Sequence, residues 1–547
     1  MMARAATAAW CLSNLPAWWR YRRALDAPAA VQERLLLGYV RRNADTVFGR
    51  AHGFGRVRSI GDYQQRVPLM RYEDYEPHVR RVARGEPCVL TAEAVRRLAI
   101  TSGSTSGAKL IPYTARLHRE YARGVGPWIA ELYRVRPRLA GGPAYWSITP
   151  RLSLPQVPDA VIPVGFEEDS RYLGTVAHRF VERAMAVPGC VGEVADQATH
   201  RYLTALLLVR QRELRLISVW HPSYLALLLD EVRARWDRLL ADIRDGGSTP
   251  PGGLPPHLAV SLGPRLRPDP RRAAELQGAG PDARERLWPK LGLVSCWGDA
   301  AARDPLEDVR RRLPGVSIQP KGLLATEAIV TLPFGDARQA RPLAIRSHFF
   351  EFIEERGRAA LAHELEPGGT YEVVVTTGGG LYRYRLGDLV RVDGFVGRTP
   401  SLSFIGRAAH ISDLVGEKLH ETFVARVVAA LFRGARAPAF AMLAPEHTVG
   451  GRSYTLFVDA DGDLPPALGE RLERALRENP HYALAVDLGQ LAPARVVRVR
   501  DGYDAFVRRA AARGQRLGDV KPVALDPDGG WGDAFERTEA VADVRRS

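Results

Sequence analysis

"TSGSTSGAKLIP", residues 101–112, crowds Ser and Thr hydroxyls, two glycines and Lys109 into one polar turn. Such a turn can aim several backbone N–H groups and hydroxyls at a single anion, and a phosphate chain is the usual occupant. Lys109 would then be the mobile charge that neutralises phosphate or assists a leaving pyrophosphate. A solvated Ser/Gly loop is the competing reading of the string taken alone. A Walker A loop is excluded, because that motif needs a hydroxyl after the lysine and Leu110 stands there. Upstream, residues 96–101 read as a short strand; downstream, "RLHREYARGVGPWIAELYRV" reads as an amphipathic helix.

The lysine in this turn stands out against the composition. Of 77 basic residues only five are lysines, Lys109, Lys290, Lys321, Lys418 and Lys521, and the net charge is +15. The arginines are spread along the whole chain with no basic tail, which fits a compositional bias better than a nucleic-acid footprint; no basic block is interleaved with aromatics. Arg replaces Lys freely on a solvated face but not where a compact point charge is needed, so each surviving lysine is a candidate for chemistry.

The length of 547 residues implies two or three domains. No apolar run reaches the roughly 18 residues of a membrane span. The N-terminal "MMARAATAAWCLSNLPAWWRYRRALD" is interrupted by Ser13, Asn14 and Pro16, and reads as a short amphipathic helix rather than a signal peptide. Cys11, Cys88, Cys190 and Cys296 are scattered without metal or disulfide spacing, as suits a reducing, cytoplasmic setting.

Helical patterns cover 22–50, much of 70–85, 174–211 and 221–244, with "ELRLISVW" between the last two as a buried parallel strand. The Pro/Gly/Arg-rich stretch 246–286 reads as loop with short helices. "LGLVSCWGD" (291–299), residues 316–334 and "RPLAIRSHFFEFIEE" supply strand-like runs, and 368–395 reads as antiparallel strands around a glycine turn. After residue 407 the pattern resets to a helix, strands, and a second helix. The expected fold class is α/β: a large N-terminal α/β domain (1–407) with a β-rich subdomain, then a smaller, mobile C-terminal α+β domain (408–547).

"TSGSTSGAKLIP" resembles the phosphate-binding signature of adenylate-forming enzymes, in the form used by the GH3 acyl acid–amido synthetases, whose bacterial relatives this chain would join. Later segments agree in order. "YEDYEPHVRRVARGE" (72–86) is similar to the stretch before the first motif, "KGLLATEAI" (321–329) falls at the second motif, and "YRYRLGD" (382–388) matches the third. "LSFIGRAAHISDLVGEKLHE" (402–421) resembles the hinge, and "GQRLGDVKP" (514–522) the C-terminal lysine loop. The resemblance implies that Ser102, Gly103, Ser104, Thr105, Ser106, Gly107 and Lys109 hold the phosphates of ATP. Glu327, with Thr326 beside it, would organise Mg²⁺; Asp388 would receive the ribose hydroxyls, assisted by Arg407. Lys521 would reach into the site during adenylation, and Lys418 would bind the adenylate or fix the hinge.

The implied activity is ATP-dependent amide synthesis through an acyl-adenylate, from a carboxylic acid and an amine or amino acid, releasing AMP and pyrophosphate. Neither nucleic acid nor membrane is an expected partner, and a monomer or weak homodimer is the expected assembly. An acyl-CoA ligase, a carrier-protein-loading adenylation enzyme and a non-catalytic nucleotide-binding regulator are the alternatives. "LLATEA" departs from the family's second motif, which has a tyrosine and paired serines: Leu324 offers no phenol, while Thr326 keeps a hydroxyl. His118, His221 and His348 default to structural roles, with His348 in "SHFFEF" a weak candidate for the acid pocket. Trp146, Trp220 and Trp297 fit either the wall of that pocket or core packing.

Overall fold

The polar turn is framed by an antiparallel hairpin. In the computed structural model β1 (Val95–Thr101) pairs with β2 (Lys109–Thr114), Thr101 standing opposite Lys109. The described residues are 2–101, 109–147, 160–165, 185–335, 340–354, 357–407, 411–412, 414–415, 417, 419–448, 451–512, 520 and 522–540. Directly after β2 the chain enters helix Ala115–Val135, capped by the Thr114 hydroxyl, which accepts from the Leu117 N–H at 3.1 Å.

The buried apolar runs form a parallel sheet. β3 (Ala144–Trp146), β4 (Leu216–Ser218), β5 (Leu293–Cys296) and β6 (Ser317–Pro320) lie side by side in that order. Helices Gln197–Arg210, Pro222–Ala234 and Arg303–Arg312 pack around it, and Ile217, Val294, Leu206, Leu228 and Val309 share one core. A parallel sheet covered in this way reads in sequence as continuous apolar runs, the pattern of "LRLISV" and "LGLVSC".

The second sheet is antiparallel. β7 (Phe349–Ile353), β8 (Ala359–Leu361), β9 (Thr370–Thr376), β10 (Tyr384–Val396) and β11 (Thr399–Arg407) take the order β11-β10-β9-β7-β8. Its apolar face and the N-terminal helices build a second core around Phe48, Tyr75, Phe350, Val375 and Tyr382. Past residue 407, β12 (Ile411–Ser412) pairs with β13 (Leu419–His420). Then β14 (Phe440–Thr448), β15 (Gly451–Asp459), β16 (Arg495–Arg500) and β17 (Glu536–Ala540) make a four-stranded sheet under helices Glu421–Leu431 and Leu468–Leu476. The chain is therefore α/β with an α+β arrangement at its C-terminal end.

Several elements differ from the sequence expectation. The helix read over 22–50 is three helices, Met2–Ala24, Pro28–Arg42 and Val47–Ala51, since Pro28 cannot donate to a preceding carbonyl and starts a new helix. The first of these is longer than a surface amphipathic segment and buries Trp10, Trp18 and Tyr21. Of the helix read over 174–211, the described part begins only at Gln197, capped by Asp196. The helix read over 221–244 is two, broken between Ala234 and Trp236. The run 316–334 keeps a strand only at β6; beyond it the backbone makes isolated bridges, Leu324 to Ile329 and Thr331 to Leu343. No described helix is long and apolar enough to cross a membrane.

Gly322 is what lets this bridged segment fold back on itself. A Cβ there would lie 2.1 Å from the Thr331 carbonyl oxygen and 2.5 Å from its carbon, backbone atoms that cannot move aside cheaply. Gly322→Ala is therefore expected to destabilise the protein by about 2–3 kcal/mol. Gly263→Ala, where a methyl meets nothing within 4 Å, should be near neutral. Thermal unfolding of the two variants beside the parent checks this; equal midpoints would show that the segment tolerates the methyl.

Candidate active site

Glu327 sits in a tight bend. The Ala325 N–H donates to the Ala328 carbonyl at 2.9 Å, and Leu324 bridges Ile329, so residues 325–328 turn with Glu327 near the tip. Tyr121, from helix Ala115–Val135, holds this bend from beneath: its hydroxyl donates to the Ala325 carbonyl at 2.7 Å and also meets the Thr326 carbonyl. The Glu327 side chain is buried, and loss of water pushes its pKa up. The negative charge of Asp388 pushes the same way, while Arg407 and Lys109 pull it down. Charged residues separated by up to 298 positions in sequence, Lys109, Asp388 and Arg407, thus all act on Glu327.

Asp388 reaches this group because β10 bulges. Against β9 the pairing jumps from Arg385–Val374 to Leu389–Glu372, and Gly387 takes φ +74°, a left-handed value that favours glycine. On the other side Asp388 pairs in register with Arg407 at the end of β11, and Arg407 Nε lies 3.3 Å from Asp388 Oδ1. Lys109, the first residue of β2, carries its ammonium over the Tyr72 ring at 5.5 Å, and the next N–H, of Leu110, donates to the Tyr72 hydroxyl at 2.8 Å. Tyr384 forms part of the same wall; burial and then the Glu327 charge hold its phenol protonated well above the usual range.

Behind these residues lies a support that sequence reading missed. Glu120 and His348 are both wholly buried, with His348 Nδ1 3.2 Å from Glu120 Oε2. The Ile329 N–H donates to His348 Nε2 at 3.2 Å, so the imidazole proton belongs on Nδ1, facing Glu120. Glu120 also accepts from the Gly378 N–H at 2.8 Å, and the Thr114 hydroxyl donates to the Gly378 carbonyl at 3.0 Å. The glycine turn before β10 is thereby clamped to the helix that supports the Glu327 bend. Gly378 has to be glycine, since a Cβ would meet Arg116 Cγ at 2.3 Å. His348 therefore stands behind the second motif rather than in an open pocket.

The expected residues Lys109, Thr326, Glu327, Asp388 and Arg407 come together. Ser102, Gly103, Ser104, Thr105, Ser106, Gly107, Lys418 and Lys521 lie outside the described residues. Of the other histidines, His118 lies 3.4 Å from the Tyr113 hydroxyl and His221 caps helix Pro222–Ala234. Trp146, Trp220 and Trp297 end or follow β3, β4 and β5, along the C-terminal edge of the parallel sheet. Among the described residues no cluster of three or more His, Cys, Asp or Glu could hold a metal by itself. A buried carboxylate beside a second one, with no such cluster, fits Mg²⁺ held by one or two carboxylates and by phosphate oxygens.

This geometry can neutralise a polyphosphate and receive a pair of hydroxyls. The pH response of Glu327 tests its burial. Its folded pKa lies above the ordinary 4.5, so its contribution to stability is full below 4.5 and is lost as pH rises through the folded value. Glu327→Gln does not titrate. Its melting temperature relative to the parent is expected to rise as pH increases above 4.5; a flat difference would mean that the carboxylate is not desolvated.

Known proteins share this layout. Residues 20–318 match the model of the GH3 family N-terminal domain and residues 342–407 that of the GH3 family central domain. A probable indole-3-acetic acid-amido synthetase GH3.12 of Oryza sativa subsp. japonica is 26% identical over 454 residues, 74% of this chain and 73% of its own. The jasmonoyl–L-amino acid synthetase JAR6 of Nicotiana attenuata is 23% identical over 428 residues, 69% of each. In fold, the GH3.15 acyl acid amido synthetase superposes with TM-score 0.80 at 19% identity, covering 94% of this chain and 93% of that one. A 2-hydroxyisobutyryl-CoA ligase bound to its acyl-AMP superposes with TM-score 0.51 at 13% identity, covering 87% and 88%.

Proposed function

The chain belongs to the GH3 family, and from that premise we propose that it is an ATP-dependent acyl acid–amido synthetase. A carboxylate oxygen attacks the α-phosphorus of ATP, the bond to the β-phosphate bridging oxygen breaks, and pyrophosphate leaves. An amine then attacks the acyl carbon of the mixed anhydride, loses a proton, and releases AMP. The observation that carries the reading is the buried Glu327 carboxyl, on which Asp388, Arg407 and Lys109 all act.

Roles follow from chemistry. Lys109 adjoins the Ser/Gly loop and carries a compact charge suited to the transferring phosphate and the departing pyrophosphate. Ser102, Ser104, Thr105 and Gly107 supply donors for the phosphates in this proposal. Asp388, oriented by Arg407, accepts from the ribose hydroxyls. Glu327, with Asp388 close by, would hold Mg²⁺, which when bound supplies charge neutralisation to the triphosphate. The Glu120–His348 pair and Tyr121 fix the bend that carries Glu327.

Residues 1–407 form the adenylating domain and 408–547 a smaller domain that swings about 405–412, carrying Lys521 towards the site for the first step. Helix Glu421–Leu431 packs against β11, and a side-chain hydrogen bond also joins the two parts: Ser223 Oγ, itself 2.6 Å from His221 Nδ1, lies 2.9 Å from the Tyr503 hydroxyl. A single hydrogen bond of this kind is worth about 1 kcal/mol net and can be exchanged during a swing.

Exchange of labelled pyrophosphate into ATP, with Mg²⁺ and a panel of carboxylic acids, tests the first step; mass detection of amides with added amino acids tests the second. In that assay Lys109→Ala is expected to lower exchange about 100- to 1,000-fold. Lys109→Arg should restore little of it, because a guanidinium is bulkier and differently hydrated. Unaltered exchange in Lys109→Ala would falsify the assignment.

A further inference from the structure

The four parallel strands end on one group of side chains. β3 ends at Trp146; Trp220 follows β4 by two residues, Trp297 follows β5 by one, and Lys321 follows β6 by one. Backbone hydrogen bonds carry the alignment past the strands: Trp297 N–H donates to the Trp220 carbonyl at 2.8 Å and Lys321 N–H to the Cys296 carbonyl at 2.7 Å. The Lys321 ammonium is held over three indoles, 4.4 Å from Trp220, 5.4 Å from Trp128 and 5.9 Å from Trp146, and it donates to Ser218 Oγ at 2.8 Å. Trp128 is fixed by its own N–H to Gln319 at 3.1 Å. Trp220 and Trp297 pack at 5.6 Å, Trp128 and Trp146 at 5.7 Å.

Lys321 is buried, yet Trp146, Trp220 and Trp297 are only half-buried. The indoles thus present an aromatic wall at the sheet edge with a positive charge set into it. The C-terminal edge of a parallel sheet is where open α/β folds bind ligands. Lys290 shows the contrast, being an exposed lysine that arginine could replace without consequence. At Lys321 a planar guanidinium would not sit at these distances from three ring faces while reaching Ser218.

The cage stands at a defined distance from the reacting end. Tyr121, which holds the Glu327 bend, and Trp128, which borders the cage, lie seven residues apart on one helix and so are separated by about 10 Å along its axis. We propose that the acid this enzyme activates carries a second, anionic oxygen group at its far end, about 10 Å from the reacting carboxylate, and that Lys321 in its tryptophan cage selects for it. The proposal rests on the acyl-activating reading and supplies its substrate class: an aromatic or extended acid with a distal carboxylate or comparable oxyanion. The body of such an acid lies against the indoles while its distal oxygens accept from the ammonium, a charge-assisted bond shielded from water.

The test uses matched acids: 3-(4-carboxyphenyl)propanoic acid, 3-(4-methylphenyl)propanoic acid and 3-phenylpropanoic acid. With the full-length parent, kcat/KM for pyrophosphate exchange is expected to favour the dicarboxylic acid by about 10- to 100-fold. In Lys321→Met that ratio should fall to one or below, and Ser218→Ala should reduce it in the same direction. Binding is followed independently by quenching of tryptophan fluorescence, which the cage itself supplies. A parent enzyme that prefers the methyl or unsubstituted acid overturns the proposal without help from any variant. So does a preference that survives in Lys321→Met. Lys321-dependent quenching by the dicarboxylic acid with no exchange would keep the anion site and instead overturn the adenylation reading.

Discussion

A carboxylate buried beside another carboxylate is the constraint around which this molecule is arranged. Glu327 is withdrawn from water and feels the Asp388 charge, and both effects oppose its ionisation. Lys109 and Arg407 offset part of that cost, and they come from the start of β2 and the end of β11. To bring them together the bend and the bulged β10 must each hold a non-repetitive backbone. The bulge depends on Gly387, the fold-back on Gly322, and the preceding turn on Gly378.

Helix Ala115–Val135 is the part that keeps these irregular pieces in register. Its capping residue Thr114 and its buried Glu120 grip the Gly378 turn, and its Tyr121 grips the Glu327 bend. His348 completes the frame: its Nε2 accepts from the Ile329 N–H, and its Nδ1 lies 3.2 Å from Glu120 Oε2. Irregular backbone with unsatisfied polar groups would be costly in this interior; the helix and its cap supply donors to the Gly378, Ala325 and Thr326 carbonyls and, in Glu120, an acceptor for the Gly378 N–H.

The sequence disclosed the charged participants because each stands in a short motif with its own chemistry. Lys109 follows a Ser/Gly turn, and Asp388 follows Gly387 after an aromatic strand. The order of the motifs disclosed the family, and apolar runs disclosed the parallel strands. What it did not disclose depends on distance in sequence. Glu120 meets His348 across 228 positions and Lys321 meets Ser218 across 103, and no local pattern encodes either pairing. The strand-like reading of 316–334 failed for a related reason: its apolar residues are satisfied by isolated bridges and by the helix, so periodicity could not distinguish them from a ladder. Pro28 carried a legible signal for a helix start that the apolar spacing around it masked.

The lysines give the sequence its remaining meaning. In a chain this rich in arginine, a lysine that persists inside the protein is held there by shape, because guanidinium and ammonium differ in size, planarity and hydration. Lys321 meets that condition within the tryptophans, and Lys109, half-buried, packs its ammonium over Tyr72. The charged residues around Glu327 come from the hairpin and the antiparallel sheet, while the parallel-sheet edge is lined by aromatic surface. Helix Ala115–Val135 and the segment running from Lys321 to Glu327 both link the two regions, so the indoles of β3, β4 and β5 are the part of the sheet edge that does not run directly into the bend.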